Sequence, residues 1–322
     1  MEYVNLGRTG LKVSRLALGC MTFGSSEWAP WVLGFEDSAK ILRQAVDLGI
    51  NFFDTADMYS GGKSEEITGK VLLDLVPRHK LVIATKLYNP MSADVNDRGL
   101  SRKHVFDAVD GSLKRLGTDY IDLYQLHRFD YGTPLEESLD ALNDVVRAGK
   151  VRYLGASSMH AWQFMKAIGV QRQNGWAQFV SMQPHYNLIY REEEREMLPL
   201  CLSEGVGVVP WSPLARGRLA GRGDTTRRQT DGTARALYDR TKAADDAVTA
   251  ALKTVADRHG KPMAQVAYAW VASRPAITAP IVGISKPGQF EDAIKALEIE
   301  LSTEDVLELE QNYLTKPVAG HT

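Results

Sequence analysis

Cysteine is almost missing from the 322-residue chain. Cys20 and Cys201 are its only two and stand in no ligand-like spacing, so a disulfide framework or a zinc knuckle has no support. A reducing cytoplasm is the expected compartment. Excess charge of one sign is lacking as well: 38 Lys and Arg against 40 Asp and Glu leave a formal net charge of -2. That balance argues against a nucleic-acid binder and against a polybasic membrane-surface protein. No apolar run approaches the ~18 residues of a membrane helix. The opening MEYVNLGRTGLKVSRLALG has no basic segment followed by an apolar stretch and a cleavage site, so the sequence reads as neither secreted nor membrane-spanning. A strand followed by Gly-x-Gly-x-x-Gly is also missing, which removes the usual signature of a Rossmann nucleotide fold. The expected partner is a small molecule, and oligomeric state is left open.

What is present is a set of short apolar, β-branched runs with helical segments between them. SRLALG, INFFDT, LVIATK, IDLYQL, RYLGAS, FVSMQ, GVGVVPW and APIVGIS make eight. Strands that alternate with helices imply βαβ units and a parallel sheet, and apolar residues on both faces of a run imply burial on both sides. Eight such units predict a closed (β/α)8 TIM barrel, of class α/β. A hydrophobic content of 44% can fill its core, and no linker divides the chain, so a single domain over 1–322 is expected. Ahead of the first run, Gly7-Arg8-Thr9-Gly10 separates two short apolar segments and predicts a β-hairpin that plugs the N-terminal mouth. Asp37-Ser38 is expected to open the first helix, with Gly49 after its end.

The spacing breaks once, between Trp211 and Ser285, where an insertion separates strands seven and eight. Arg216 to Lys242 reads as a mobile, solvated loop; Ala244 to His259 and Met263 to Ser273 have helical periodicity.

Barrel enzymes carry their reactive side chains at the C-terminal ends of strands, so the polar residues that end each run are the ones to weigh. Run two ends in Asp54 with Tyr59 just beyond, run three in Lys86, run four in His127. Singly each has an ordinary structural use: a turn cap, a packed ring, a solvated amine, a satisfied core histidine. Together they form a proton-transfer set. A free phenol ionises only near pH ~10, so it needs a neighbouring ammonium to exchange its proton at neutrality. Asp54 would hold that ammonium, and His127 would hydrogen-bond a carbonyl oxygen.

In LGRTGLKVSRLALGCMTFG, GINFFDTADMYSGGKSEEITGKVL, ATKL and DYIDLYQLHRFD, taken in order, the chain resembles the aldo-keto reductase superfamily. VRYLGASS, SMQPHYNLIYREEEREMLPLC and PWSPLARGRL are similar to its aryl-alcohol dehydrogenase-like and potassium-channel β-subunit-like branch. The resemblance implies an NADP(H)-dependent oxidoreductase that reduces an aldehyde or ketone. Tyr59 would protonate the carbonyl oxygen, assisted by Lys86 and Asp54, while His127 orients it. Ser157, Ser158 and Gln183 would hold the nicotinamide amide; many relatives have asparagine where Ser158 stands. Trp211 would stack on the nicotinamide. Ser212, Leu214 and Gly217 belong to a loop over the pyrophosphate, and Arg218 adds charge there.

After run eight, Ser285-Lys286-Pro287-Gly288-Gln289 enters a helix, a place where free backbone N–H groups and a cation favour an anion. Lys286, with Ser285, resembles the group that meets the 2′-phosphate of NADP. The asparagine usual on the adenine falls near Ala293; Gln289 is the expected substitute, with Glu291 or Asp292 as alternatives.

Phe23, Trp28, Trp31, Tyr88, Phe129 and Tyr131 lie in the mouth loops and suit an aryl or other apolar aldehyde. Two rival readings stand beside the enzyme: a cofactor-holding module that senses redox state or binds a partner, and a metal-dependent barrel hydrolase or isomerase built on His104, His127, His160 or His185. The histidines lack a His-x-His pattern, and no metal is expected.

Overall fold

A computed structural model describes residues 1–221 and 230–321. A short antiparallel hairpin, β1 (Tyr3–Asn5) with β2 (Lys12–Ser14), precedes eight parallel strands. These are β3 (Ala17–Gly19), β4 (Phe52–Asp54), β5 (Val82–Leu87), β6 (Ile121–Leu126), β7 (Val151–Ser157), β8 (Phe179–Gln183), β9 (Gly207–Val208) and β10 (Ile281–Gly283). They lie in the order β10-β3-β4-β5-β6-β7-β8-β9. The two end strands also meet. Thr278 donates its N–H to the Val208 carbonyl at 2.8 Å and Ile281 to Pro210 at 2.9 Å, which closes the sheet as expected of a barrel.

Around it run α1 (Phe35–Asp47), α2 (Lys63–Leu75), α3 (Arg102–Leu116), α4 (Leu135–Arg147), α5 (Ala161–Gln173), α6 (Met197–Glu204), α7 (Gly232–Tyr238), α8 (Lys242–His259), α9 (Met263–Ala272), α10 (Gln289–Ala296) and α11 (Thr303–Glu310). Helix α1 begins ahead of Asp37-Ser38. The Ser38 hydroxyl does not cap it; that group bonds back to the Gly34 carbonyl at 2.7 Å, inside the first turn. The insertion between β9 and β10 contains α7, α8 and α9, the last two close to the expected spans. Residues 222–229 of the expected mobile loop lie outside the described residues. No described helix is long and apolar enough to cross a membrane.

Strand periodicity explains the core. Phe52, Val82, Ala84 and Leu123 share a small inner cluster with Leu6 and Val13 of the hairpin region, which plugs the barrel's floor. Phe53, Ile83 and Tyr124 belong to the larger layer between sheet and helices. Successive side chains alternate faces. The inward series therefore continues upward from Phe52 to Asp54, from Ala84 to Lys86, and from Leu123 through Gln125 to His127. Polar groups at the lumen's top are thus built into the register, where Asp54 pairs with Ala84 and Lys86 with Gln125.

Backbone strain gathers at the same end. Ser60, Tyr88, Ser158, Ser212, Ala215 and Arg216 are the described non-glycine residues with positive φ, and all follow the C-terminal ends of β4, β5, β7 or β9. Such conformations cost about 1–3 kcal/mol each and cluster at functional sites.

Candidate active site

Lys86 organises the top of the lumen. Its side chain is completely buried, and Nζ donates to Asp54 Oδ1 at 2.6 Å and to the Thr55 carbonyl at 2.8 Å, with the Tyr59 hydroxyl at 3.5 Å. Burial alone lowers a lysine's affinity for its proton; Asp54 and Tyr59 outweigh it, and the net pKa rises. Lys86 is therefore an ammonium aimed at a phenol.

The other carboxylate oxygen of Asp54 is also occupied: Oδ2 accepts from Gln125 Nε2 at 2.9 Å and from Gln183 Nε2 at 2.8 Å. A buried charge needs this set of partners. Gln125 escaped the sequence reading because it sits one step below the end of its run; its inward period-two position was the available signal.

His127 is buried, with its ring 5.8 Å from the Tyr59 ring and nearly perpendicular to it. Burial, then Lys86 and Arg128, hold its pKa well below the ordinary histidine range, so the ring is neutral. Asn89 Nδ2 lies 3.1 Å from Nδ1. An amide nitrogen only donates, so Nδ1 accepts and the proton resides on Nε2. Sequence reading missed Asn89 because nothing in its own run marks it; the contact exists only between neighbouring strand ends.

The nicotinamide candidates meet nearby. Ser157 Oγ donates to the Gln183 main-chain carbonyl at 2.8 Å, and the Ser157 and Ser158 hydroxyls are 3.2 Å apart. Trp211 donates its indole N–H to Ser158 Oγ at 3.0 Å, so serine at this position fixes the ring. The indole stacks on His185 at 4.2 Å, and His185 in turn on Tyr190 at 4.1 Å. Tyr238, from the insertion, meets His185 Nε2 at 2.6 Å. Gln183 spends its amide N–H groups on Asp54 and Gln125, which leaves its amide oxygen as the acceptor for a ligand.

The phosphate-end candidates differ from expectation in detail. Gln289 turns its amide oxygen back onto the N–H groups of Ser285 at 2.7 Å and Lys286 at 3.0 Å, because open amides at a helix start take the nearest acceptor. Lys286 is exposed. Asp292 accepts from Gln265 Nε2 at 3.1 Å, and Ala293 is buried. Ser212, Leu214 and Gly217 line the turn after Trp211, where Ser212 and Gly217 have positive φ. Arg218 pairs with Asp239 and lies over the Tyr238 ring, and Arg216 pairs with Asp231, so both cations are already partnered.

Among the aromatic candidates, Trp28 stands edge-on to Trp31 at 5.8 Å and 6.4 Å from the Tyr59 ring. Phe129 packs on Tyr131 at 5.0 Å and on Trp162 at 6.4 Å, a residue the sequence reading did not single out. Tyr88 is half-buried, whereas Phe23 is wholly buried in the outer core. Among the described residues no group of three His, Cys, Asp or Glu converges as metal ligands.

Comparison with known proteins gives a family. The model of the aldo/keto reductase family matches residues 15–313. Versiconal hemiacetal acetate reductase of Aspergillus parasiticus is 46% identical over 340 residues, covering 99% of this chain and 98% of that protein. A putative aryl-alcohol dehydrogenase of Schizosaccharomyces pombe is 44% identical, covering 99% and 97%, and one of Saccharomyces cerevisiae 40%, covering 97% of each.

Proposed function

Because the chain belongs to the aldo/keto reductase family, we propose that it reduces an aldehyde or ketone to the alcohol with NADP(H), with Tyr59 as the proton donor. The observation that carries this reading is the buried Lys86 ammonium held between Asp54 and the Tyr59 hydroxyl. As the carbonyl oxygen gains electron density it takes the Tyr59 proton, and the phenolate left behind is stabilised by that ammonium. His127, neutral and protonated at Nε2, donates a hydrogen bond to the same oxygen and orients it. Asp54 keeps Lys86 charged and in place, and its three donors keep Asp54 there.

The residues fit a nicotinamide. Trp211 is half-buried and stacked on His185, while the Gln183 amide oxygen and the Ser157 and Ser158 hydroxyls offer the partners a carboxamide needs. When bound, the cofactor supplies the hydride. Lys286, exposed and without an ion pair among the described residues, supports NADP over NAD as the cation for a 2′-phosphate. The aromatic mouth supports an aryl aldehyde.

The test is NADPH and NADH oxidation across aromatic, aliphatic and sugar aldehydes, for the native protein and Tyr59→Phe. Aryl aldehydes should be preferred with NADPH, and the variant should bind NADPH yet lose at least about a hundredfold in turnover, the usual scale of general acid catalysis. Tight NADPH binding with no carbonyl turned over would make the chain a cofactor-holding module instead.

A further inference from the structure

We infer that the barrel mouth holds a recognition site for a carboxylate carried by the substrate, with Arg128 as its cation. This rests on the carbonyl-reductase reading and adds a substrate class to it.

Arg128 follows His127 directly at the end of β6. Its guanidinium donates to the His127 carbonyl at 2.6 Å, and among the described residues it has no other hydrogen bond and no ion pair. The other partly buried arginines are provided for: Arg78 meets Asp122 at 2.6 Å, Arg115 meets Glu65 at 2.6 Å, and Arg191 meets Glu310 at 2.7 Å. A half-buried guanidinium without a carboxylate is therefore the exception among the described arginines. The ionisable groups that act on it are the phenols of Tyr59 and Tyr88, and its charge is felt in turn by His127 and His185. Its place is the C-terminal end of β6, the rim that carries His127 and, ring to ring with it, Tyr59.

The local charge is unbalanced. Lys86 is matched by Asp54 and His127 is neutral, so Arg128 leaves one positive charge without an ion pair among the described residues. Its hydrogen bond to the His127 carbonyl fixes the planar fork next to the residue that orients the carbonyl. The remaining donors match a carboxylate, which a guanidinium can take two-pronged. With Trp28 and Phe129 as apolar walls, the ligand that answers both features is an aryl aldehyde whose ring bears a carboxylate.

The experiment compares kcat/KM for 4-carboxybenzaldehyde, 3-carboxybenzaldehyde, benzaldehyde and 4-(trimethylammonio)benzaldehyde, in native protein, Arg128→Met and Arg128→Lys. Benzoate binding to the NADPH-loaded protein is followed by tryptophan fluorescence, and a thermal melt confirms that each variant folds. The native protein should favour at least one carboxylated aldehyde over benzaldehyde by about tenfold, the scale of one charge-assisted hydrogen bond, and disfavour the cationic one. Arg128→Met should bring that ratio to about one and weaken benzoate about tenfold; Arg128→Lys should retain part of both. A native ratio of one or less for both carboxylated aldehydes overturns the inference. So does a ratio that survives Arg128→Met while NADPH affinity falls, since Arg128 would then serve a cofactor phosphate. If no aldehyde is reduced at all, the reductase reading has failed, and benzoate binding alone decides on the anion site.

Discussion

Asn89 and His127 meet through an amide nitrogen and Nδ1 at 3.1 Å, from the ends of neighbouring strands. That contact selects the tautomer, and the tautomer decides whether His127 can donate to a substrate oxygen. In Asn89→Ala the ring is free to carry its proton on either nitrogen. The expected result is a fall in kcat/KM of about tenfold, the value of one neutral hydrogen bond. Nitrogen NMR of His127 should show a mixture of tautomers. An unchanged rate with a single Nε2–H form would remove Asn89 from the mechanism.

The Lys86 and Asp54 pair separates stability from catalysis. Lys86→Met leaves a carboxylate that is 3% exposed with amide donors only. Breaking a buried pair this way costs about 3–5 kcal/mol. Adding Asp54→Asn removes the orphaned charge and retains an acceptor for Gln125 and Gln183, so urea unfolding should recover more than half of the loss. Turnover should stay abolished in both. A double variant no more stable than the single one would mean that the charge is not what makes the loss.

How far the sequence could be read follows from where each interaction is encoded. Asp54, Lys86 and His127 end strands, and a strand's apolar period with its polar stop is a local signal, so the eight strands and the barrel were legible. Gln125, Asn89 and Arg128 are defined by what lies across from them, which one chain segment does not show. Gln183 and Gln289 were legible as polar residues at the right rim, but their amide ends are set by the nearest unmet partner: Asp54 for one, the Ser285 and Lys286 N–H groups for the other. Phe23 was misplaced toward the pocket because an aromatic residue after a strand points outward or inward according to backbone detail.

Helix packing offers a test in which two simple rules disagree. Gly69 lies within α2, and a Cβ there would fall 2.0 Å from the Leu116 carbonyl oxygen of α3. Helix propensity alone predicts that Gly69→Ala gains about 1 kcal/mol. The close approach predicts the opposite, because a backbone oxygen cannot step aside without separating the helices, and such overpacking costs about 1–3 kcal/mol. Chemical denaturation should show a net loss; a gain would mean that α2 and α3 part easily.

His185 makes stability depend on pH. It is fully buried between Tyr190 and Trp211, and burial, then nearby cations beginning with Arg216, hold its pKa well below the ordinary value. Below about pH 6.5 the unfolded chain takes up a proton at this residue that the folded chain refuses, so stability present above that pH is lost as the solution is acidified. The slope is about 1.4 kcal/mol per pH unit once the unfolded form is fully protonated. His127 adds a similar dependence. In His185→Gln the uptake at position 185 disappears and that at His127 remains. The variant is expected to be less stable at pH 7.5, since it gives up the stack on Trp211. Between pH 7.5 and 5.5 the gap to the native protein should narrow by about 1.4 kcal/mol in urea unfolding. A gap that stays constant over that range would show that His185 takes up its proton in the folded state as readily as in the unfolded one.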